Sequence, residues 1–335
     1  RKDKRMELIE PETPIRSIAV LTSGGDAPGM NAAIRAVVRA GIYKGLKVYG
    51  VQDGFKGLIN GDFVPLGRRD VSGILSHGGT FLRTDRSSEM KTPYGQREAV
   101  RQLNNEGIDG LIVIGGDGSM AGAKALCDEG TRVIGIPGTI DNDVWGTDSC
   151  VGVDTALNTI MEAVDKIRDT AASHTRAFLV QTMGRECGYL AVQSAMISGA
   201  EMALIPEDPV SVEEIAQTVE NAYKRGKRHC IIIMAEGYPI PMVDLAKQLD
   251  EMDLGFTTRS INLSYVQRGG SPTSFDRILA SRMGYAAVEL ISSGQTSLMT
   301  AMQGREIIGL PLADIVGKHR PISEEYLHIS NILSR

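Results

Sequence analysis

Two apolar runs, each leading straight into a loop of ligand-binding character, constrain this chain more than any other feature. Leu111-Ile112-Val113-Ile114 runs into Gly115-Gly116-Asp117-Gly118-Ser119, and Val133-Ile134-Gly135-Ile136 runs into Pro137-Gly138-Thr139-Ile140-Asp141-Asn142-Asp143. Continuous β-branched runs bounded by glycine or proline read as strands buried on both faces, the pattern of a parallel sheet. The Ala-rich residues 120–127 between them are expected to form a short crossover helix. One βαβ unit then brings both loops to the C-terminal edge of a sheet, where open α/β folds bind ligands. Glycines let backbone N–H groups approach a phosphate, and carboxylates hold Mg²⁺ or orient a hydroxyl. That combination suits phosphoryl transfer.

The rest of the chain repeats the strand–loop–helix pattern. Residues 17–22 read as a strand entering Ser23-Gly24-Gly25-Asp26-Ala27-Pro28-Gly29-Met30-Asn31, with a helix through Arg35 and Arg39 to Tyr43. The turn lacks the Gly-Lys-Ser/Thr ending of a Walker A loop and the GxGxxG spacing. It reads equally as a phosphate-binding turn or a plain βα turn. Residues 47–51 form a second strand, and residues 96–105 a helix. After Asp154, expected as an N-cap, Leu157, Ile160, Met161, Val164 and Ile167 make a helical stripe. Strands follow at 177–180, 202–205 and 230–234, with a helix at 212–224, which together suggest a second parallel sheet. Arg225-Gly226-Lys227-Arg228 reads first as cations completing a helix C-terminus. Residues 266–272 read as a turn, 274–293 as a long helix and 298–302 as a last strand.

Composition narrows the function classes. The 335 residues are 42% hydrophobic and 23% charged, an ordinary globular balance with room for two domains. A net charge of -5 argues against nucleic-acid binding. No apolar stretch reaches the ~18 residues of a membrane span. The basic start, Arg1-Lys2-Asp3-Lys4-Arg5, lacks the apolar core of a signal peptide, and residues 1–14 are expected to be a mobile extension. Cys127, Cys150, Cys187 and Cys230 show neither metal nor disulfide spacing, which fits a cytoplasmic protein without zinc.

Taken together, the segment from Thr22 to Asn31, the Gly115–Ser119 loop, the Pro137–Asp143 loop, Met183-Gly184-Arg185 and Gln267-Arg268-Gly269-Gly270 resemble the 6-phosphofructokinases, the ATP-dependent bacterial type above all. The match is collinear from about Ile15 to Met302. The resemblance implies an α/β protein of two Rossmann-like, three-layer αβα domains with mostly parallel sheets and the active site in the cleft between them. Residues 15–152 with 267–317 are the implied ATP-binding domain, and 153–266 with 318–335 the implied fructose 6-phosphate domain. The implied reaction is a step of glycolysis, transfer from MgATP to the sugar's 1-hydroxyl.

Carried over residue by residue, Gly25, Phe55, Arg86, Ser87, Gly116, Asp117, Gly118, Ser119 and Gly122 resemble the MgATP site. Asp117 and Asp143 match the Mg²⁺ carboxylates. Asp141 resembles the base that takes the hydroxyl proton, with Thr139, Arg185 and Gly25 as its catalytic companions. The sugar-phosphate pocket is matched by Thr139, Ile140, Asp141, Met183, Gly184, Arg185, Glu236, Tyr265 and Arg268. Arg176 and Arg259 match arginines lent by a neighbouring subunit, which implies a homotetramer. An allosteric pocket for an anionic effector, ADP or phosphoenolpyruvate, is matched by Arg35, Arg39, Arg68, Arg168, Gly199, Glu201, Arg225, Lys227, Arg228 and His229.

Three positions depart from the family pattern: Tyr265 replaces a histidine, Ser87 an aromatic residue and Gly73 an aspartate. A pyrophosphate-dependent relative typically carries Asp for Gly118 and Lys for Gly138. NAD and lipid kinases share a Gly-Gly-Asp-Gly loop but lack the 139–143 stretch and the Met183-Gly184-Arg185 loop. A catalytically dead sugar-phosphate sensor is opposed by the presence of Asp117, Asp141 and Arg185 together.

Overall fold

The computed structural model describes residues 14–333, so the expected extension lies, apart from Pro14, outside the described residues. Along the chain, β1 (Ser17–Ser23), α1 (Met30–Tyr43), β2 (Lys47–Val51), α2 (Gly54–Asn60) and β3 (Phe63–Pro65) come first. Next are α3 (Pro93–Glu106), β4 (Gly110–Gly115), α4 (Asp117–Asp128), β5 (Val133–Pro137) and α5 (Val153–His174). Then β6 (Arg176–Thr182), α6 (Tyr189–Ser198), β7 (Met202–Leu204), α7 (Val212–Lys224), β8 (His229–Ala235) and α8 (Met242–Glu251) alternate. The chain ends with β9 (Thr257–Asn262), α9 (Ser274–Ser292), β10 (Leu298–Gln303), β11 (Glu306–Pro311), α10 (Leu312–Ile315) and α11 (Glu324–Leu333).

Two compact units result. The first holds residues up to 139 with 144–152 and 270–319; the second holds 140–143, 153–269 and 320 onwards. The first unit contains a seven-stranded sheet in the order β11-β10-β5-β4-β1-β2-β3. Only its two margins are antiparallel, β3 on β2 and β11 on β10. Every residue of β1, β4 and β5 is buried, which is why these strands read as unbroken apolar runs. The strand order reverses between β1 and β4, the switch point where such sheets open a crevice. Ser23 is level with Gly115, and Gly115 with Pro137, so three loops leave the sheet from one row.

The second unit contains a four-stranded, wholly parallel sheet in the order β7-β8-β6-β9. Leu179, Ile232, Met234, Ile215, Val219, Leu245 and Leu249 form its core between β6, β8, α7 and α8. Thr182 is level with Ala235, and Gln181 with Asn262, so the loops after β6, β8 and β9 also share an edge.

Local expectations fail in a few places. Asp154 lies inside the first turn of α5, which starts at Val153, so it is not the N-cap. The helix expected from residue 96 begins at Pro93, because Thr92 caps it by accepting from Gly95 N–H. Residues 264–268 wind into a 3₁₀ segment, which takes in residues 266–268 of the expected 266–272 turn.

Candidate active site

In the first unit the two glycine loops leave helix N-termini open. Neither α1, entered through Gly29, nor α4, entered through Gly116, has a side-chain cap. By contrast α3, α7 and α9 are capped by Thr92, Ser211 and Thr273. Open helix N-termini keep donors and a positive dipole end available to an anion. Gly29 turns in the left-handed region (φ 106°), and a Cβ there falls 2.7 Å from Val151 Cγ1, so no other residue fits.

Ser119 Oγ lies beneath both loops: a Cβ on Gly115 falls 2.3 Å from it, and one on Gly24 falls 3.4 Å from it. Gly25 follows in the same turn. Asp117 occupies the first turn of α4, and Gly118 is exposed with nothing within 4 Å of its Cβ position. Gly122, one turn on, sits under the buried ring of Phe55, whose Cε2 is 2.7 Å from where a Cβ would stand. A Cβ on Gly116 would stand 3.4 Å from Thr139 Cβ. Arg86 is exposed and its N–H donates to Asp85 Oδ1, while Ser87 Oγ accepts from Met90 N–H. Among the described residues, neither side chain is held against the glycine loops by a hydrogen bond of its own.

The second unit assembles the residues around Asp141. Asp141 is 5% exposed, and its Oδ2 lies 3.4 Å from Arg185 Nε. Burial pushes its carboxyl up to about 6, helped by the negative charges of Asp143 and Glu236 and opposed by Arg185 and Arg268. Arg185 is itself left-handed (φ 52°), and its N–H donates to Glu236 Oε1 at 2.7 Å. Gly184 N–H donates to the same oxygen at 3.1 Å. Gly184 has φ 132°, and a Cβ there falls 2.4 Å from the Cys187 carbonyl. Glu236 thus shapes the 183–185 loop through backbone contacts. Cys187 below it is no nucleophile, since burial lifts its thiol to about 11.

Further residues shape these loops: Gln267, Asn142 and Ile140 belong to motifs the sequence singles out, whereas Glu207 carries no signal there. Met183 N–H donates to Gln267 Oε1, and Gln267 is fully buried. Glu207 accepts from Gly188 N–H at the start of α6. Asn142 (φ 53°) is fully buried between Asp141 and Asp143. Ile140 is buried beside them. Arg268 lies 5.1 Å over the ring of Tyr265, which is exposed. Arg176 opens β6, and exposed Arg259 on β9 donates to the Thr258 carbonyl.

The expected effector residues divide between the units. Arg35 and Arg39 lie on α1, and Arg68 follows β3; Arg35 Nε is buried and has no hydrogen-bond partner among the described residues. In the second unit Arg168 donates to the Ser198 carbonyl, and left-handed Gly199 ends α6. Glu201 is buried, accepting from Lys227 Nζ at 2.9 Å and Ile231 N–H at 2.6 Å. The basic run therefore divides: Arg225 caps α7, whereas Lys227 turns back to Glu201, and Arg228 and His229 lead into β8. Gly73 is exposed with open space at its Cβ position.

Among the described residues no helix is long and apolar enough to cross a membrane. Residues 17–291 match the family described as Phosphofructokinase. The chain is 49% identical over 321 residues to an ATP-dependent 6-phosphofructokinase of Thermotoga neapolitana, covering 96% of this chain and all (100%) of that one. It is 48% identical over 320 residues to one of Natranaerobius thermophilus, with the same coverage. The structure of phosphofructokinase from Saccharomyces cerevisiae superposes with a TM-score of 0.83 at 39% identity over 89% of this chain, which spans 45% of that longer chain. A pyrophosphate-dependent phosphofructokinase from Marinobacter aquaeolei shares the fold, with a TM-score of 0.83 at 20% identity over 95% of this chain and 91% of its own. The chain belongs to the phosphofructokinase family, among the ATP-dependent 6-phosphofructokinases.

Proposed function

We propose that this chain transfers the terminal phosphoryl group of MgATP to the 1-hydroxyl of fructose 6-phosphate, giving the 1,6-bisphosphate and ADP. The observation that carries the reading is buried Asp141 with its carboxyl lifted to about 6 and Arg185 at 3.4 Å. A carboxylate near 6 is ionised at neutral pH yet basic enough to accept a hydroxyl proton. Arg185 offers its charge where the transferring phosphoryl group develops negative charge, and its fork suits phosphate oxygens. The open N-termini of α1 and α4 suit the donor's phosphates. Phosphoryl transfer needs positioning and charge stabilisation more than covalent help.

The donor set fits Mg²⁺ in one way. No group of three ligating side chains lies among the described residues. Mg²⁺ is commonly held by one or two carboxylates together with substrate phosphates. Asp117 and Asp143 are the carboxylates we assign to Mg²⁺, which would neutralise phosphate charge when bound. Gly118 and Gly138 suit ATP rather than pyrophosphate, since neither carries a side chain into the space of a nucleoside. The sugar's 6-phosphate we assign to Arg268, with Arg176 and Arg259 serving a neighbouring subunit of a homotetramer. Arg168, Lys227 and Glu201 we assign to a pocket for an anionic effector, and the setting to the cytoplasm.

A coupled assay of fructose 6-phosphate with MgATP, and separately with pyrophosphate, tests the reading. Turnover with MgATP and none with pyrophosphate is expected. Appreciable turnover with pyrophosphate overturns the donor assignment, and binding of the sugar without product overturns the enzyme reading.

A further inference from the structure

One hydrogen-bonded seam in the first unit has no part in the assignments above. It runs between the end of β1 and the segment 80–86. Thr22 is fully buried near the end of β1. Its Oγ1 donates to the Arg83 carbonyl at 2.9 Å and lies 2.7 Å from Thr80 Oγ1. A hydroxyl has one proton, and a carbonyl only accepts, so Thr80 must be the donor to Thr22. The relay thus runs from Thr80 through Thr22 to the Arg83 carbonyl. Two residues on from Thr22, the Gly24 carbonyl accepts from Thr84 Oγ1 at 2.9 Å, inside the glycine turn itself. From the other side Asn31, buried at the start of α1, donates to the His77 and Gly78 carbonyls and accepts from Phe81 N–H.

The seam holds a strained backbone. Arg83 is left-handed (φ 61°), an unfavourable region for a non-glycine residue. Its guanidinium reaches Gln52 Oε1 at 3.0 Å and Asp53 Oδ2 at 2.8 Å, on the exposed side of the loop. The left-handed turn redirects the chain so that Thr84 meets Gly24 and Arg86 follows two residues later. Strain of this kind persists only where the surroundings over-determine it. Here the surroundings are the Thr22 and Thr84 hydroxyls together with the Arg83 N–H bond to the Thr80 carbonyl, the Asp53 N–H bond to the Leu82 carbonyl and the guanidinium contacts. Of these the Thr22 bond alone takes up the Arg83 carbonyl.

We propose that Thr22 is a positioning residue for the phosphoryl donor: its hydroxyl fixes the left-handed turn at Arg83 and thereby holds the 84–86 segment against the glycine turn. The inference rests on the assignment of the donor to the first unit. It concerns the nucleotide alone, because none of these contacts involves the second unit, to which the sugar is assigned.

The test compares Thr22→Val, which keeps shape and strand preference but deletes the hydroxyl, with Thr22→Ser, which keeps it. Each is assayed for KM of MgATP, KM of fructose 6-phosphate and kcat, with a thermal melt alongside. Thr22→Val should raise the KM of MgATP by about tenfold or more while the KM of fructose 6-phosphate stays within about twofold, a tenfold change being ~1.4 kcal/mol. Thr22→Ser should recover most of the nucleotide affinity. If Thr22→Val does not fold, Thr84→Val removes the bond to Gly24 and must show the same split. An unchanged KM for MgATP, or an equal rise in both KM values, overturns the positioning role. A wild-type chain with no MgATP turnover overturns the donor assignment instead, so the two failures are distinguishable.

Discussion

Replacing Asp141 with asparagine separates what the carboxylate does in catalysis from what it costs the fold. The side chain is 5% exposed, and burial lifts its carboxyl from 3.8 to about 6. A rise of roughly two units at ~1.36 kcal/mol each makes the ionised form cost about 3 kcal/mol of folding free energy. The sign follows from proton linkage. Between pH 3.8 and about 6 the folded chain holds this proton more tightly than the unfolded chain does. Stability therefore falls as pH rises through that window and is flat with respect to this group above it. Asparagine never ionises, so the variant should melt higher than wild type at pH 8, by on the order of 5 °C. The two melting curves should draw together as the pH approaches 4. In the same preparation kcat should fall by roughly 10²–10⁴, the usual loss for a general base. Wild-type kcat/KM for the sugar should fall on the acid side around pH 6, where Asp141 gains its proton. Thermal melts from pH 4 to pH 8 beside steady-state kinetics measure all of this. A variant less stable than wild type at pH 8, or a stability difference that ignores pH, refutes the burial argument. A near-normal kcat refutes the role.

Three further outcomes are expected. Gly122→Ala places a methyl group 2.7 Å from the Phe55 ring; overpacking of this sort costs about 1–3 kcal/mol, and KM for MgATP should rise more than KM for the sugar in steady-state assays. Arg259→Ala should raise KM for fructose 6-phosphate far more than KM for ATP, and mixing it with Arg268→Ala subunits should restore a minority of normal sites; a fully active monomer by light scattering contradicts this. Lys227→Ala strips the cation from buried Glu201, leaving it the Ile231 N–H, and should abolish the response to ADP or phosphoenolpyruvate at low sugar concentration while sparing kcat at saturation; wild-type velocity indifferent to both effectors removes the premise.

The central strands of both sheets were legible because burial on both faces leaves an unbroken β-branched run. β1, β4, β5 and β8 are all of that kind. The edges were not. β9, Thr-Thr-Arg-Ser-Ile-Asn, is polar because only one side is paired and several of its residues meet solvent. β11 holds Gly309 and ends in Pro311, breaker residues tolerated there because it lies at the margin of its sheet. At the site, residue types were readable but contacts were not. Arg185 meets Asp141 with Gly184 and Arg185 both in left-handed turns, and both donate to Glu236, which lies 52 and 51 residues further along the chain. Nothing in local spacing encodes that pairing. Gln267, which fixes Met183, is an ordinary polar residue until the fold buries it.

Strain and buried charge meet in the same few loops, and that coincidence bears on why the site is where it is. Of the eight non-glycine residues with positive φ among the described residues, Asp53, Asn142, Arg185 and Ser264 lie in the loops that follow the C-terminal ends of β2, β5, β6 and β9. Asn142 is the clearest case. It sits between Asp141 and Asp143 in a left-handed turn, fully buried, and Asn tolerates that region better than most residues. An extended residue there would aim the following carboxylate in a different direction. The same three residues therefore carry a conformational cost and the cost of an ionised, buried acid. Neither helps the chain to fold. Both are tolerable because the segment leaves directly from β5, whose residues are all buried and which pairs with β4 on one side and β10 on the other. The buried strand anchors the loop at its start, and the loop's own shape holds Asp141 buried and 3.4 Å from Arg185.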